Sequence, residues 1–154
     1  MKRNTQILQA ITIVLLVMWI PASIDKFINF NTFQQNMHRQ PFSSSITITT
    51  LIIYSLPILE LLTILLLLFS KSRIWGFVLS SLLMSIFTIY IALALLKVWD
   101  RIPCACGLII SQMGWVEHFW FNLFFMTVSI IGWNREITLL SKQSLDLRKN
   151  SRYN

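Results

Sequence analysis

The sequence predicts an all-α integral membrane protein, a bundle of four transmembrane helices with both termini on the cytoplasmic side. Three observations lead there. The chain of 154 residues is 55% hydrophobic and only 12% charged, whereas a soluble domain carries about 25% charged residues. Its charges are clustered, leaving four apolar tracts that reach or approach the ~18 residues needed to cross a hydrocarbon layer about 30 Å thick. Lys and Arg are also divided unevenly between the connections, as orientation signals are. Residues 1–134 make one membrane domain and 135–154 a basic cytoplasmic tail.

The first tract covers residues 7–24, behind Lys2 and Arg3. A basic start before an apolar run also describes a signal peptide. This run is longer than a signal core, and Pro21-Ala22-Ser23 is a poor cleavage site, so a retained helix is predicted. Asp25 and Lys26 then mark its outer end. Within the connection 25–45, Asn31 is placed to cap a short amphipathic helix over 32–38. Phe30, Phe33 and Met37 share a face there, Pro41 ends the segment, and the membrane interface suits it.

The second and third tracts cover residues 47–69 and 74–96. Each is long enough to span roughly 34 Å at 1.5 Å per residue. With only residues 70–73 between them, they must form an antiparallel hairpin. The connection 97–114 holds both cysteines. The last tract, 115–133, precedes a polar tail read as frayed or weakly helical. Trp75, Trp99, Trp115 and Trp133 fall at tract ends, as an aromatic belt requires. With four Gly in the chain and no GxxxG, tight small-residue packing is not expected to be the main device.

With the N-terminus inside, Lys2, Arg3, Lys71, Arg73, Arg135, Lys142, Arg148, Lys149 and Arg152 lie on the cytoplasmic side. Lys26, Arg39, Lys97 and Arg101 lie outside. That bias places the cysteine connection on the outer, oxidising face of a bacterial cytoplasmic membrane. The net charge of +7 thus reflects membrane topology and argues against nucleic acid as a partner. The partner that composition itself implies is the lipid bilayer.

Cys104-Ala105-Cys106, between Pro103 and Gly107, is the sharpest chemical feature. A disulfide across one intervening residue needs a local bend, because an extended backbone holds the two Cα atoms at the limit of disulfide geometry. Such strain favours reduction, the property of an exchanging pair. Two other readings stay open, a fixed local staple and a soft metal ion with His118 or His38 as further ligand. The pair is assigned here as catalytic, with no metal site.

Glu60 is the second feature, an ionisable residue deep in the second tract. A carboxylate there costs several kcal/mol unless paired or protonated. Pro57, three positions earlier, frees a backbone carbonyl and suggests a kink. Glu60 is a candidate for proton handling or for contact with a lipid-soluble cofactor such as a quinone. The competing reading is a structural hydrogen bond to Thr63, Thr88, Tyr90 or Asn122. Glu117 and His118, in the first turn of the fourth helix, are read first as capping and interfacial residues. The alternative is an acid or base beside the thiols.

These pieces, in their order, resemble the MauE branch of the DoxX-like membrane proteins. The matching stretches are Ser23-Ile24-Asp25-Lys26-Phe27 with Phe30 and Phe33, then Leu56-Pro57-Ile58-Leu59-Glu60-Leu61 and Phe87-Thr88-Ile89-Tyr90. They continue with Ile102-Pro103-Cys104-Ala105-Cys106-Gly107, Trp115-Val116-Glu117-His118 and Asn122. The resemblance spans roughly residues 7–133. It implies a redox-associated membrane protein with an outer cysteine pair, of the kind implicated in making the disulfide-rich subunit of methylamine dehydrogenase. The implied partner is a thioredoxin-like extracytoplasmic protein or an exported disulfide-containing one. A non-catalytic assembly subunit, with the cysteines only stiffening a loop, is the alternative. A small transporter is disfavoured because inverted repeats are lacking.

Overall fold

The computed structural model describes residues 2–40, 43, 45–98 and 114–151, all as helices and short connections. The helices are α1 (Lys2–Ile28), α2 (Phe30–His38), α3 (Ile46–Leu68), α4 (Arg73–Leu95) and α5 (Trp115–Ser151). Helices α1, α3, α4 and α5 each contain a stretch long and apolar enough to cross a membrane. They close a ring in which α1 meets α3, α3 meets α4, α4 meets α5 and α5 returns to α1. The chain is therefore a multi-pass membrane protein of four long helices. The tracts predicted at 47–69 and 74–96 agree with α3 and α4 to within one residue at each end.

Each long helix turns one stripe inward at the 3.6-residue period. In α1 it is Leu8, Thr12, Leu15, Trp19, Ser23 and Lys26, and in α3 it is Thr49, Ile53, Pro57, Glu60, Ile64 and Leu67. The opposite faces present residues such as Val17, Leu51 and Ile89, 60–68% exposed. In water so much continuous apolar surface would drive aggregation; in a bilayer it is the lipid face.

Lipid tails are as apolar as leucine, so polar contacts between the helices contribute much of their specificity. Trp19 Nε1 donates to Ser80 Oγ at 2.9 Å, Ser80 and Ser129 share a bond of 2.8 Å, and Ser129 donates to Phe125 O at 2.9 Å. Because Ser129 spends its proton on Phe125, Ser80 must donate to Ser129 while accepting from Trp19. One directed chain thus joins α1, α4 and α5. Two glycines permit close approach: Gly76 of α4 faces the backbone of Leu66 and Leu67, and Gly132 of α5 faces the ring of Phe77. These are single contact points rather than a repeated small-residue motif.

Three boundaries differ from expectation. Helix α1 does not stop at residue 24 but continues to Ile28, with Pro21 inside it. Helix α2 begins at Phe30 and its N-cap is Asn29, so Asn31 lies within the helix and caps nothing. Asn29 is held by its own backbone N–H to Asp25 O and by its side chain to Asp25 Oδ1, at 2.8 and 2.7 Å. The face expected of this helix is observed, with Phe33 and Met37 buried against Ile53.

The third difference is α5, which runs unbroken past Trp133 to Ser151. After Gly132 no Gly or Pro interrupts it, and Glu136, Leu139, Leu140 and Lys142 are strong helix formers. Arg73 at the start of α4 grips Glu136 with two bonds, Nε to Oε2 at 3.1 Å and Nη2 to Oε1 at 3.2 Å. Both side chains are largely buried, so this fork fastens the helical tail to the α3–α4 turn.

Candidate functional site

The costly carboxylate of α3 has a partner that its own sequence neighbourhood does not suggest. Lys26 Nζ lies 2.8 Å from Glu60 Oε1, and the two side chains are 7% and 1% exposed. This corrects two expectations. Lys26, in the last turn of α1, does not turn outward but completes the inward stripe of α1. Nor is Glu60 held by the hydroxyls named for it, since Thr63 and Thr88 donate to the carbonyls of Leu59 and Met84 on their own helices. Tyr90 donates to Gln40 Oε1.

An ammonium has three protons. Lys26 directs one to Glu60, reaches Ala22 O at 3.3 Å, and lies 6.0 Å from the centre of the Phe33 ring. The carboxylate is less fully engaged. Glu60 Oε2 is buried and has no hydrogen-bond partner among the described residues, an arrangement that native interiors rarely leave without a purpose.

The pair stands in the wall of a cavity of about 400 Å³. Trp19, Leu56, Met84 and Phe87 supply its apolar surface, while Gln40, Tyr90, His118 and Asn122 add polar groups. His118 and Asn122 are only 2% and 4% exposed and continue the inward stripe of α5. His118 is therefore a cavity residue, turned inward from the first turn of α5, its ring edge-on to Phe121 with centroids 6.5 Å apart. Its neighbour Glu117 does act at the helix start, where its Oε2 accepts the backbone N–H of Gly114 at 2.8 Å. That bond is one half of a capping box.

The cavity occupies the end of the bundle from which the cysteine connection departs. Its lining includes Tyr90 near the C-terminus of α4 and Trp115 at the start of α5. Helix α4 ends in a Schellman arrangement, with Lys97 N–H bonded to Ala94 O and Val98 N–H to Leu93 O. Lys97 takes the left-handed conformation, φ 53°, that this motif usually assigns to Gly. The described chain thus ends its α4 segment at Val98 and resumes at Gly114, just before Trp115 of the cavity lining. Cys104 and Cys106, the assigned catalytic pair, lie outside the described residues.

Of the residues singled out from sequence, Glu60, Tyr90, His118 and Asn122 are gathered around one cavity, whereas Thr63 and Thr88 are not part of its lining. Gln40 and Ser55 are polar members of the lining that sequence reasoning did not name, and Lys26 was named only as a marker of the helix end. The signal for Lys26 was present in the unbroken three- and four-residue spacing from Leu8 onward.

A family model described as methylamine utilisation protein MauE matches residues 4–135. No curated protein and no solved structure matches the chain.

Proposed function

The chain belongs to the MauE family, and from that membership we propose that it is a redox-associated membrane protein exchanging disulfides with exported partners through Cys104 and Cys106. Membership carries the coarser function of a methylamine utilisation-related membrane protein. The observation carrying the finer reading is the Cys-Ala-Cys sequence in the connection from α4 to α5, which rejoins the bundle at Trp115 in the cavity lining. The Lys and Arg bias supports placing that connection on the periplasmic or outer face of a bacterial cytoplasmic membrane, where disulfides persist.

The exchange is a pair of sulfur displacements. A partner thiolate attacks one sulfur of the Cys104–Cys106 disulfide, forming a mixed disulfide and releasing the other cysteine as thiolate. The partner's second thiolate then attacks its own sulfur in the mixed bond. The partner leaves oxidised, and two electrons and two protons remain with the cysteines as a dithiol. Run backwards, the same steps reduce a partner. A thioredoxin-like protein or an exported disulfide-rich substrate meets the requirement for a partner.

The test is to change each cysteine to Ser singly, in cells, and resolve membrane proteins without reductant. One single variant is expected to accumulate a covalent complex with an exported protein that dithiothreitol releases, and the double variant none. If neither single variant traps a partner and the double variant keeps full function, the chain is a non-catalytic assembly subunit.

A further inference from the structure

We infer that the cavity bounded by Lys26, Glu60, His118 and Asn122 is a binding site for a neutral, lipid-soluble molecule of the quinone and quinol class. The argument begins with size. A cavity of about 400 Å³ falls in the ~300–1,000 Å³ range of small-molecule sites, and accommodates one substituted ring with a short apolar tail. Its walls are aliphatic, aromatic and methionine side chains, so the body of the ligand is apolar. The site lies among helices that face lipid, so such a ligand arrives from the bilayer.

The polar groups select the head. Lys26 and Glu60 together carry no net charge, which favours a neutral head over a fatty-acid carboxylate or a phosphate, both repelled by Glu60. Lys26 can donate to a carbonyl oxygen. The unpartnered Glu60 Oε2 accepts from a hydroxyl. A quinone carbonyl uses the first contact, and the hydroxyl to which it is reduced uses both. His118 and Asn122, buried on α5, offer further polar contacts to the ring oxygens.

The site itself stands without the cysteines. Its coupling to them rests on the exchange reading and gives that reading its oxidant. A Cys104, Cys106 dithiol yields two electrons and two protons on forming its disulfide, and a quinone takes up both pairs in becoming a quinol.

The test uses the full chain in detergent micelles, titrated with a short-chain benzoquinone. Bound quinone is counted by equilibrium dialysis, and Trp fluorescence is followed, since Trp19 and Trp115 both line the cavity. Binding is expected to saturate at one quinone per chain. It should weaken by about tenfold or more when the polar contacts are removed in the K26M/E60L double variant. Ala22→Phe, which intrudes on the cavity from α1 without altering either charge, should weaken it similarly, with a melting curve confirming that each variant is folded. The C104S/C106S double variant should bind like the unaltered chain, whether or not disulfide exchange is found. Uptake that never saturates, or that is the same in K26M/E60L, would overturn the inference. So would n-decanol displacing quinone at equal concentration, which would mark a general acyl site.

Discussion

Replacing Lys26 by Met is expected to destabilise the bundle by about 3–5 kcal/mol, because it leaves the Glu60 carboxylate buried without its counter-charge. Replacing Glu60 by Leu should cost less. Lys26 lies in the last turn of α1, with Ala22 O and the Phe33 ring already in reach, and a lysine stem can carry its head toward the membrane surface. Glu60 has a short side chain near the middle of α3 and no such exit. The double variant K26M/E60L replaces a buried ion pair by apolar groups of similar size. It should therefore lie within about 1–2 kcal/mol of the unaltered chain. Reversible unfolding in mixed micelles measures all three. Two single variants whose losses simply add in the double would mean that the pair is not coupled.

Adding one methyl group at Gly132 or Gly76 should cost about 1–3 kcal/mol, through overpacking. At Gly132 a Cβ would overlap Phe77 Cε1 and lie 2.7 Å from its Cδ1. Phe77 is completely buried, so its ring has nowhere to turn. At Gly76 the Cβ would lie 2.8 Å from Leu67 N and 3.0 Å from Leu66 C, and backbone cannot be trimmed. The two sites should consequently respond differently to a second change. Phe77→Leu should recover much of the loss in G132A, whereas Leu67→Ala should recover little in G76A. Equal rescue at both sites in the same unfolding assay would contradict the packing described for the α3–α4 and α4–α5 contacts.

Hydropathy located the spans because the bilayer imposes a length, and α3 and α4 follow it closely. It failed where a helix outlasts its apolar run. Asp25 and Lys26 ended the first tract on a polarity criterion, although α1 keeps its inward register through Lys26. The charge is tolerated there because Glu60 meets it from another helix, a contact no local pattern reveals. The end of α5 was hidden for a similar reason. Hydropathy falls after Trp133, but helix propensity does not, and the anchor at Glu136 is a distant arginine. Asn31 was a reasonable cap by residue type, yet α1 and α2 are joined at Asn29 so closely that the cap falls two residues earlier.

The candidate site was half legible. Glu60 stood out because an intramembrane carboxylate is costly, but the partners weighed for it were hydroxyls and amides rather than Lys26. His118 was weighed as an interfacial residue or as an acid or base beside the thiols, and Asn122 as a structural partner for Glu60. Their spacing of four places them on one face, and only the packing of α1 and α3 opposite shows that this face borders a cavity. Cys104 and Cys106 were legible as a pair from sequence alone, and the fold adds that the helix ends flanking their connection, the last turn of α4 and the first of α5, lie at the end of the bundle where the cavity is.

The most direct measurement of the exchange reading is the redox state of Cys104 and Cys106 in intact cells. Cells are quenched with acid, and free thiols are then alkylated with a membrane-impermeant probe before and after mild reductant. A pair that passes between an oxidised, unlabelled form and a labelled dithiol, and returns when reductant is withdrawn, is the predicted result. A pair held in one state under every condition would contradict the account and leave the cysteines as a structural staple.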